Sequence, residues 1–303
     1  AAQTAIKLRE LDTIEKVFAH GEYADIREGE CSLTDIWFEY SALKLAAERG
    51  IENPQGEELD KLIDEAAVQA KLIDNPPYTL PAGEQGEFVV PTNFDSWDAS
   101  ELAAEIANTV FDANTLDVTS LNAVEVFINR ITDTVANSRG LHKTQVRWTA
   151  MVEAIPTATQ DGESVELYEQ VNFSALDLPT LSSRIAQKLS QAKARFEAKR
   201  MEITGSPKVI LNSQELMELF WNFAYDLNFA SVYSHHNVFK KGDALQSAPQ
   251  GDRLGISVCA SLPGCAGSRA FDSDGLTLTE KRLIADGVAV GYYGGNRFGQ
   301  YLG

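Results

Sequence analysis

The chain has 303 residues, of which 44% are hydrophobic and 23% charged, as in an ordinary globular protein. This length allows one large domain or about two of typical size, and it excludes a small scaffold held by disulfides. With 44 acidic and 26 basic residues the net charge is −18, and such a field repels phosphate backbones and anionic membrane surfaces. Direct binding to nucleic acid or to a membrane is therefore disfavoured.

The cysteines and the N-terminus indicate a cellular compartment. Cys31, Cys259 and Cys265 provide neither a disulfide framework nor a CxxC pair for zinc or redox chemistry. The first eighteen residues contain no apolar stretch typical of a secretion signal, and no run of about 18 apolar residues occurs elsewhere. We therefore predict a cytoplasmic protein without a membrane-spanning segment.

The first part of the chain has helical periodicity. Apolar residues recur at helical spacing over 36–47 and again over 59–73. Residues 75–86 contain three prolines and two glycines and cannot continue a helix, so they predict a boundary. The predicted divisions are a helical N-terminal segment (1–75), a mixed α/β domain (76–205) and a C-terminal domain (206–303).

The middle of the chain predicts a short helix and then a sheet. Asp98 and Glu101 form a capping-box pattern before the helix. From Ala123 apolar residues alternate with polar ones, and a shift of phase between Ile128 and Ile131 suggests a β-bulge. We predict an antiparallel meander over 123–173, with an Asp-Gly turn at 161–162 and one face in water. A helix over 179–200 is expected to cover its other face.

The last third begins with a predicted strand and helix. Lys208 to Leu211 is a short apolar strand candidate, and Asn212 or Ser213 is placed to cap the helix that follows. Twelve of the 21 glycines follow residue 240, which predicts turns and close backbone approaches. The predicted fold class is α+β, with antiparallel sheets, covering helices and a glycine-rich, β-rich C-terminal part.

Two adjacent imidazoles, His235 and His236, are the first candidate for metal chemistry. Adjacent residues point to opposite sides of a strand and lie about 100° apart on a helix, so one metal does not easily bind both. This spacing favours a structural or surface role, and it leaves open that one histidine pairs with a distant ligand.

Cys259 and Cys265 are candidates for a nucleophile, provided that a histidine approaches one of them. No neighbour in sequence activates either thiol, and cysteine is often simply a small apolar residue. The acids in Phe271–Gly275 resemble a cation loop only loosely, because the further ligands of an EF-hand are missing, so a turn held by Asp side chains is favoured. Motifs for nucleotide, esterase and HExxH zinc sites are absent from the sequence.

Several segments together resemble the TldD/PmbA family over roughly residues 65–303. They are the 137–141 loop between two strands, the long helix after the sheet, the 208–211 segment before a helix, and residues 231–233. The most specific segment is 267–293, since members of the family carry a Phe-Asp-(Asp/Ser)-Glu-Gly element followed by a strand and an Ile-Xaa-Xaa-Gly turn. The residues that carry the resemblance are Asn137, Ser138, Arg139, Gly140, Tyr233, Phe271, Asp272, Asp274, Gly275, Ile284 and Gly287.

The resemblance implies which kind of subunit this is. TldD-type subunits resemble zinc peptidases and carry HExxxH on the helix after the 208–211 strand, whereas PmbA or TldE-type subunits lack it. The corresponding helix here, around residues 219–227, contains no histidine. Two features depart from the family. Residues 1–75 have helical periodicity where family members have strand hairpins, and the chain stops at Gly303 where members continue. We therefore expect either a partial sequence or a reduced member of the family.

The resemblance therefore implies a PmbA/TldE-like subunit that assists proteolysis without a catalytic metal or other cofactor of its own. Its expected partner is a second copy or a TldD-type zinc subunit, and its expected substrate is a peptide or unfolded protein. The family label "modulator of DNA gyrase" does not imply contact with DNA, given the charge of −18. Two alternatives remain: a cysteine-dependent hydrolase using Cys259 or Cys265 with His235 or His236, and a module that binds peptides at the free edge of the meander.

Overall fold

The computed structural model describes residues 57–70, 76, 78–137, 139–202 and 205–303. The helix predicted over 36–47 lies outside these residues. Helix α1 (Glu57–Ala70) confirms the helical periodicity of 59–73 as far as Ala70, and Leu62 is buried. The last residues of that prediction, 71–73, lie outside the described part.

The larger sheet is built around one long hairpin, β2 (Thr119–Ala136) and β3 (His142–Gln160). Two short strands, β4 (Glu163–Glu166) and β5 (Glu169–Phe173), pair antiparallel with β3. The meander predicted over 123–173 is confirmed, and so is the turn at Asp161–Gly162, where both residues have positive φ.

One strand of this sheet was not expected from the sequence. Strand β1 (Gln85–Val89) pairs parallel with the start of β3, so the sheet is antiparallel except at this position. It begins inside the proline-rich stretch 75–86 that predicted a boundary. Just before it, Tyr78 and Leu80 are buried, so this stretch packs against the rest of the chain. The division of the chain into domains stays a prediction.

Two helices cover one face of the sheet and form the main core. Helix α2 (Ala99–Asp112) follows a short 3-10 turn at Phe94–Ser96, and α3 (Leu178–Ala194) follows β5. Asp177 caps α3 by accepting a hydrogen bond from the Thr180 N–H at 3.1 Å, and Pro179 lies in its first turn. The core side chains from both helices and from β3 include Leu102, Ile106, Val110, Ala150, Val152, Ala154, Leu181, Ile185 and Leu189. The prediction that a helix over 179–200 covers the sheet is thus confirmed as far as Ala194, beyond which a 3-10 turn (Arg195–Glu197) ends the helical segment.

The irregularity in β2 lies elsewhere than the sequence suggested. Pairing with β3 is regular from Val124 to Ala136, so the prediction of a bulge between Ile128 and Ile131 is wrong. The register shifts instead between Leu121 and Val124. The apolar residues change phase at Ile131 because the end of the hairpin buries its opposite face, so the strand need not bend there.

That opposite face is covered over the first half of β3. Gln145 and Arg147 alternate with Val146 and Trp148, a pattern that predicts a face in water, yet both side chains are buried, and so is Lys143 just before them. The cover is the segment 260–278 from the C-terminal part of the chain, whose Phe271 packs with Val135 and Leu141. The expectation of one wet face is therefore correct only for the distal half of the hairpin, where residues such as Glu125 and Phe127 are exposed.

The C-terminal part contains three helices and a second, antiparallel sheet. The helices are α4 (Ser213–Asp226), α5 (Phe229–Tyr233) and α6 (Asn296–Leu302), and the strands are β6 (Ile256–Val258), β7 (Lys281–Ala285) and β8 (Val288–Ala289). Asn212 caps α4 as predicted, accepting hydrogen bonds from the N–H groups of Gln214 and Glu215. The strand predicted at 208–211 is wrong, because these residues are exposed and irregular in the structure. Their β-branched composition favours a strand, but within the described residues no neighbouring strand pairs with them.

None of the helices in the described ranges is both long and apolar enough to cross a bilayer.

Candidate functional site

The family-like residues of the 137–141 loop and of 271–275 meet where the C-terminal turn Phe271–Thr277 docks on the sheet, whereas Tyr233, Ile284 and Gly287 lie elsewhere in the C-terminal part. Phe271 is 2% exposed, and its ring meets that of Phe88 on β1 edge-on, with centroids 6.0 Å apart. An isolated bridge pairs Phe271 with Thr277, so the intervening residues form a tight loop. We call Phe271–Thr277 the acidic turn.

Asp272 holds the acidic turn together. One carboxylate oxygen accepts hydrogen bonds from the N–H groups of Asp274 and Leu276, each at 2.9 Å. Gly275 closes the turn at a φ of +83°, and a Cβ atom at this position would lie only 2.6 Å from Leu141 Cδ2. The prediction of a turn stabilised by Asp side chains fits this geometry.

The loop between β2 and β3 forms the other side of the contact. The Asn137 side chain accepts hydrogen bonds from the N–H groups of Arg139 and Leu141, and it donates one to the Pro81 carbonyl at 2.9 Å. Gly140 has a φ of +81°, as the tight connection requires. Asn137, Arg139 and Gly140 therefore shape a loop that presents Leu141 to the acidic turn, while Ser138 lies outside the described residues.

A buried lysine joins these two loops. Lys143 Nζ donates hydrogen bonds to the Gly275 carbonyl at 3.0 Å and to Thr277 Oγ1 at 2.9 Å, and it forms an ion pair with Glu84. Only 2% of the Lys143 side chain is exposed, so its charge depends on these partners. The same ion pair and hydrogen bond hold the pKa of Glu84 below its ordinary value.

A second buried polar group lies beside the lysine on the same face of the sheet. Arg147 Nε and Gln145 Nε2 each donate a hydrogen bond to Asp133 Oδ2 at 3.0 Å. Gln145 Oε1 accepts a hydrogen bond from the Ala270 N–H at 2.8 Å, which fixes the residue just before the acidic turn. Within the described residues, the other carboxylate oxygen of Asp133 is buried without a hydrogen-bond partner.

Burial alters the titration of the acidic turn. It raises the pKa of Asp272, and the charge of Asp274 raises that pKa further, while hydrogen bonds from backbone N–H groups oppose the shift. Burial likewise raises the pKa of Asp274, against the effect of a hydrogen bond with the Asn296 side chain. Both carboxyl groups are therefore easier to protonate than free aspartates.

Tyr233 lies in an aromatic cluster connected to this region through α6. Its ring centroid is 5.2 Å from that of Tyr301 and 5.6 Å from that of Phe298. On the same helix, Asn296 Nδ2 donates to the Thr79 carbonyl at 3.0 Å. Tyr78 also meets Tyr301 edge-on, so the cluster packs aromatic rings rather than assembling reactive groups.

The histidines and cysteines do not come together. His235 and His236 are exposed just after α5, where His235 has a φ of +56°. Cys259 and Cys265 are free and exposed in the segment after β6. Among the described residues, no hydrogen bond connects a cysteine thiol with a histidine imidazole. The same residues form no cluster of three or more His, Cys, Asp or Glu side chains that could hold a metal ion.

The polar residues of helix α4 have other partners. Asp226 accepts hydrogen bonds from the N–H groups of Val238 and Phe239, both at 2.7 Å, one on each carboxylate oxygen. The Asn222 side chain donates to the carbonyls of Glu218 and Leu219 on its own helix. Both side chains therefore serve local structure.

Sequence reasoning missed the residues that bind the two loops together. Gln145 and Arg147 alternate with apolar residues along β3, which is the pattern of a solvated face, and the sequence around Lys143 carries no signal of burial. Asp133 is the residue that could have indicated this burial. It is a single acid within an otherwise uncharged end of β2, and in the register of the hairpin it lies opposite Gln145. The site as a whole can orient loops and present acids, while a nucleophile with an adjacent base is not found among the described residues.

The architecture is that of an α+β protein whose C-terminal part docks on a long hairpin. Comparisons with known proteins show what this architecture is similar to. Residues 204–303 match the family described as "PmbA/TldA metallopeptidase C-terminal domain". The resemblance to the TldD/PmbA family is therefore confirmed in sequence for the last third of the chain. A comparison with curated protein sequences found no match.

Solved structures share the fold over a larger part of the chain. TldE from Thermococcus kodakarensis is 15% identical with a TM-score of 0.58, covering 82% of this chain and 57% of its own. A protein described as a modulator of DNA gyrase from Bacteroides thetaiotaomicron is 13% identical with a TM-score of 0.58, over 83% and 59% of the two chains. A protein of similar description from Thermotoga maritima is 16% identical with a TM-score of 0.52, over 81% and 57%. The chain thus spans somewhat more than half the length of these relatives.

Proposed function

We propose that this chain is a non-catalytic, PmbA/TldE-like subunit that assists the cleavage of peptides or unfolded proteins in the cytoplasm. The observation that carries the proposal is the composition of α4, a helix without histidine inside a domain related to metallopeptidases. Zinc hydrolysis requires about three protein ligands and a base that activates water. Asn222 and Asp226 are engaged in local hydrogen bonds, which supports a helix adapted to a structural role.

The proposed partner is a homologous subunit that carries the zinc motif. A chain that shares the fold of TldE, and whose described residues assemble no nucleophile with its base, can contribute binding surface, while the other subunit activates water. The acidic turn and the 137–141 loop are the proposed contact region for the peptide, because their backbone is held rigidly by Lys143 and Asn137. The cytoplasmic location is supported by free, exposed Cys259 and Cys265, which a reducing compartment preserves.

The test is a peptidase assay of each subunit alone and of the mixture. Fluorescently labelled, unfolded casein is the probe, and the zinc subunit is the one that co-purifies with this chain from its native cell. We expect no cleavage by this chain alone, less than one zinc per chain by elemental analysis, and faster cleavage by the mixture than by the zinc subunit alone. An unchanged rate in the mixture would refute the assisting role.

A matched variant separates the cysteine-hydrolase alternative. If the chain alone cleaves casein, replacing Cys259 or Cys265 by Ser shows whether a thiol is the nucleophile. His235→Ala and His236→Ala then test the base. Loss of activity in a Cys and a His variant together would establish the alternative and overturn the non-catalytic assignment.

The free edge of β2 favours a second candidate function, peptide binding by strand addition. Strand β2 is 18 residues long and pairs with β3 on one side, while no strand among the described residues pairs with its other side. An unpaired edge offers N–H and C=O groups to an extended peptide. If unfolded casein binds there, amide hydrogen exchange over residues 124–131 will slow when casein is added, and unchanged exchange excludes this mode.

A further inference from the structure

Strand β2 is the last strand of the larger sheet along its whole length. It pairs with β3 from Thr119 to Ala136, while β1, β5 and β4 occupy the other side of β3. Within the part of the chain that the structure describes, no strand pairs with the outer side of β2. Its outward N–H and C=O groups are therefore available to an extended peptide.

Two features limit where a peptide can pair with β2. The register shift between Leu121 and Val124 interrupts the regular edge at one end, and the exposed side chain of Arg130 lies at the other. Residues 124–129, between these two features, contain no proline or glycine, and Glu125 is their only charged residue. We call residues 124–129 the β2 edge, and its length suits a peptide of about six residues.

The side chains of the β2 edge form two rows of different character. One row packs against the core beneath the helices, and it consists of Val124, Val126 and Ile128. The other row is exposed on the opposite face, and it consists of Glu125, Phe127 and Asn129. Side chains of a paired strand alternate in the same way, so an added peptide places every second residue beside the apolar row and the others beside the exposed row.

The exposed row is acidic around Glu125. In the register of the hairpin Glu125 lies directly opposite Glu153, and the Tyr168 hydroxyl donates a hydrogen bond to Glu153. This hydrogen bond is the main cause of a raised pKa of Tyr168, and the charges of both glutamates raise that pKa further. Like charges in directly opposed positions repel one another, and no Lys or Arg of the described ranges forms an ion pair with either glutamate.

The charge is one-sided over the whole distal half of the hairpin. Residues 117–129 and 149–168 contain no Lys, Arg or His, and their six acidic residues are Asp117, Glu125, Glu153, Asp161, Glu163 and Glu166. A field of one sign attracts the opposite charge over about 10 Å at moderate salt. Phe127, which is 40% exposed, adds an apolar contact two residues from Glu125. The chemistry complementary to the β2 edge is thus a cation and an apolar side chain at a spacing of two residues.

We propose that the β2 edge pairs with an extended, cationic segment of an unfolded substrate, with Lys or Arg beside Glu125 and an apolar side chain beside Phe127. The inference rests on strand addition at β2, the second candidate function, and it adds the class of substrate. An acidic segment meets the same backbone groups but is repelled by Glu125 and Glu153. The β2 edge therefore selects basic segments among the many extended chains that can pair with it.

Two peptides that differ only in charge test this selection. They are Val-Lys-Val-Phe-Val-Lys-Val and Val-Glu-Val-Phe-Val-Glu-Val, both with blocked ends and a neutral fluorescent label. The pattern is symmetric, so it fits β2 in either direction of pairing. In fluorescence anisotropy with the full chain, we expect the Lys peptide to bind about 10-fold more tightly than the Glu peptide at about 0.05 M salt. The ratio should fall to about 2-fold at about 0.5 M salt, because salt screens exposed charges.

Two variants of the chain locate the selection. Glu125→Gln should reduce the ratio of the two affinities to about 3-fold, because it removes the carboxylate beside the bound Lys. Glu163→Gln is the matched control, since it removes one exposed carboxylate from the same half of the hairpin. Glu163 lies on β4, which pairs with the other side of β3, so the ratio should stay at about 10-fold.

A third peptide tests the pairing itself. The Lys peptide with methyl groups on its backbone nitrogens keeps its charge but cannot donate hydrogen bonds to a strand, so it should bind at least about 10-fold more weakly. The unmethylated Lys peptide should also slow amide hydrogen exchange over residues 124–131.

The possible failures are distinct. Slowed exchange over 124–131 with equal affinities for the Lys and Glu peptides overturns the charge selection and leaves strand addition intact. Unchanged exchange, with no binding of either peptide up to about 1 mM, refutes strand addition and this inference with it. Equal effects of Glu125→Gln and Glu163→Gln, or tight binding of the methylated peptide, indicate general attraction to an acidic surface and also overturn the inference.

Discussion

The close approach of Gly275 to Leu141 makes the docking of the acidic turn measurable. A Cβ atom on residue 275 would lie 2.6 Å from Leu141 Cδ2, and the φ of +83° is one that side-chain-bearing residues rarely adopt. Leu141 is 1% exposed and packs against Phe271 and Val135, so it has no free space into which it can move. Gly275→Ala therefore combines backbone strain with overpacking.

The expected cost follows from these two contributions. The left-handed conformation of an alanine costs about 1–2 kcal/mol, and overpacking a filled core costs about 1–3 kcal/mol. Gly275→Ala should then lower the free energy of unfolding by about 2–5 kcal/mol. Gly162→Ala is the matched control, because Gly162 has nearly the same φ of +84° and nothing lies within 4 Å of its Cβ position.

Urea unfolding followed by tryptophan fluorescence measures the difference. We expect Gly162→Ala to cost only about 1–2 kcal/mol, so the two midpoints should differ by about 0.7 M if the m value is about 3 kcal/mol/M. Equal costs for the two variants would show that the acidic turn does not dock on Leu141. Leu141→Ala should cost less in the Gly275→Ala background than in the wild type, since it removes the methyl group that collides.

Two further predictions concern buried charges. Arg147→Met should destabilise the protein by about 3–5 kcal/mol in urea unfolding, because it leaves the buried carboxylate of Asp133 without its cation, whereas adding Asp133→Leu to that variant should restore most of the loss. A double variant no more stable than Arg147→Met would contradict this assignment of the ion pair. Asp274→Asn should stabilise the protein at pH 7. Burial raises the folded-state pKa of Asp274, so the folded state binds more protons than the unfolded state, and stability falls as pH rises from the ordinary value of 3.8 through the raised pKa. The neutral amide removes this loss. Unfolding at pH 3 and pH 7 measures this, and a gain of equal size at both values would refute the electrostatic explanation.

Local patterns predicted the elements whose environment is simple. The helix after the sheet has a proline in its first turn and an apolar stripe of Leu181, Ile185 and Leu189. Because this single stripe packs on a single sheet, the spacing of its apolar residues predicts both the helix and its buried face. The alternation of β3 likewise predicted a strand correctly. In these cases the period of the apolar residues and the buried face agree.

The docking contact could not be predicted in the same way because it depends on pairs far apart in the chain. Lys143 lies between His142 and Thr144, where nothing local predicts burial, and its partners Gly275 and Thr277 come more than 130 positions later in the chain. The proline-rich stretch 75–86 has the composition of a linker, yet Tyr78 and Leu80 are buried there. Composition indicates the local preference of a segment, but these residues are buried because a second layer of the structure covers them.

The docking contact is made largely to the backbone of the docked segment. Lys143 donates to the carbonyl of Gly275, and Gln145 accepts from the N–H of Ala270, so both bonds are made to the backbone of the docked segment. Backbone groups are present whatever side chains the segment carries, and a glycine at the close approach is required only for space and for its positive φ. The side chains around the acidic turn can therefore change while the turn remains attached to the hairpin at the same place.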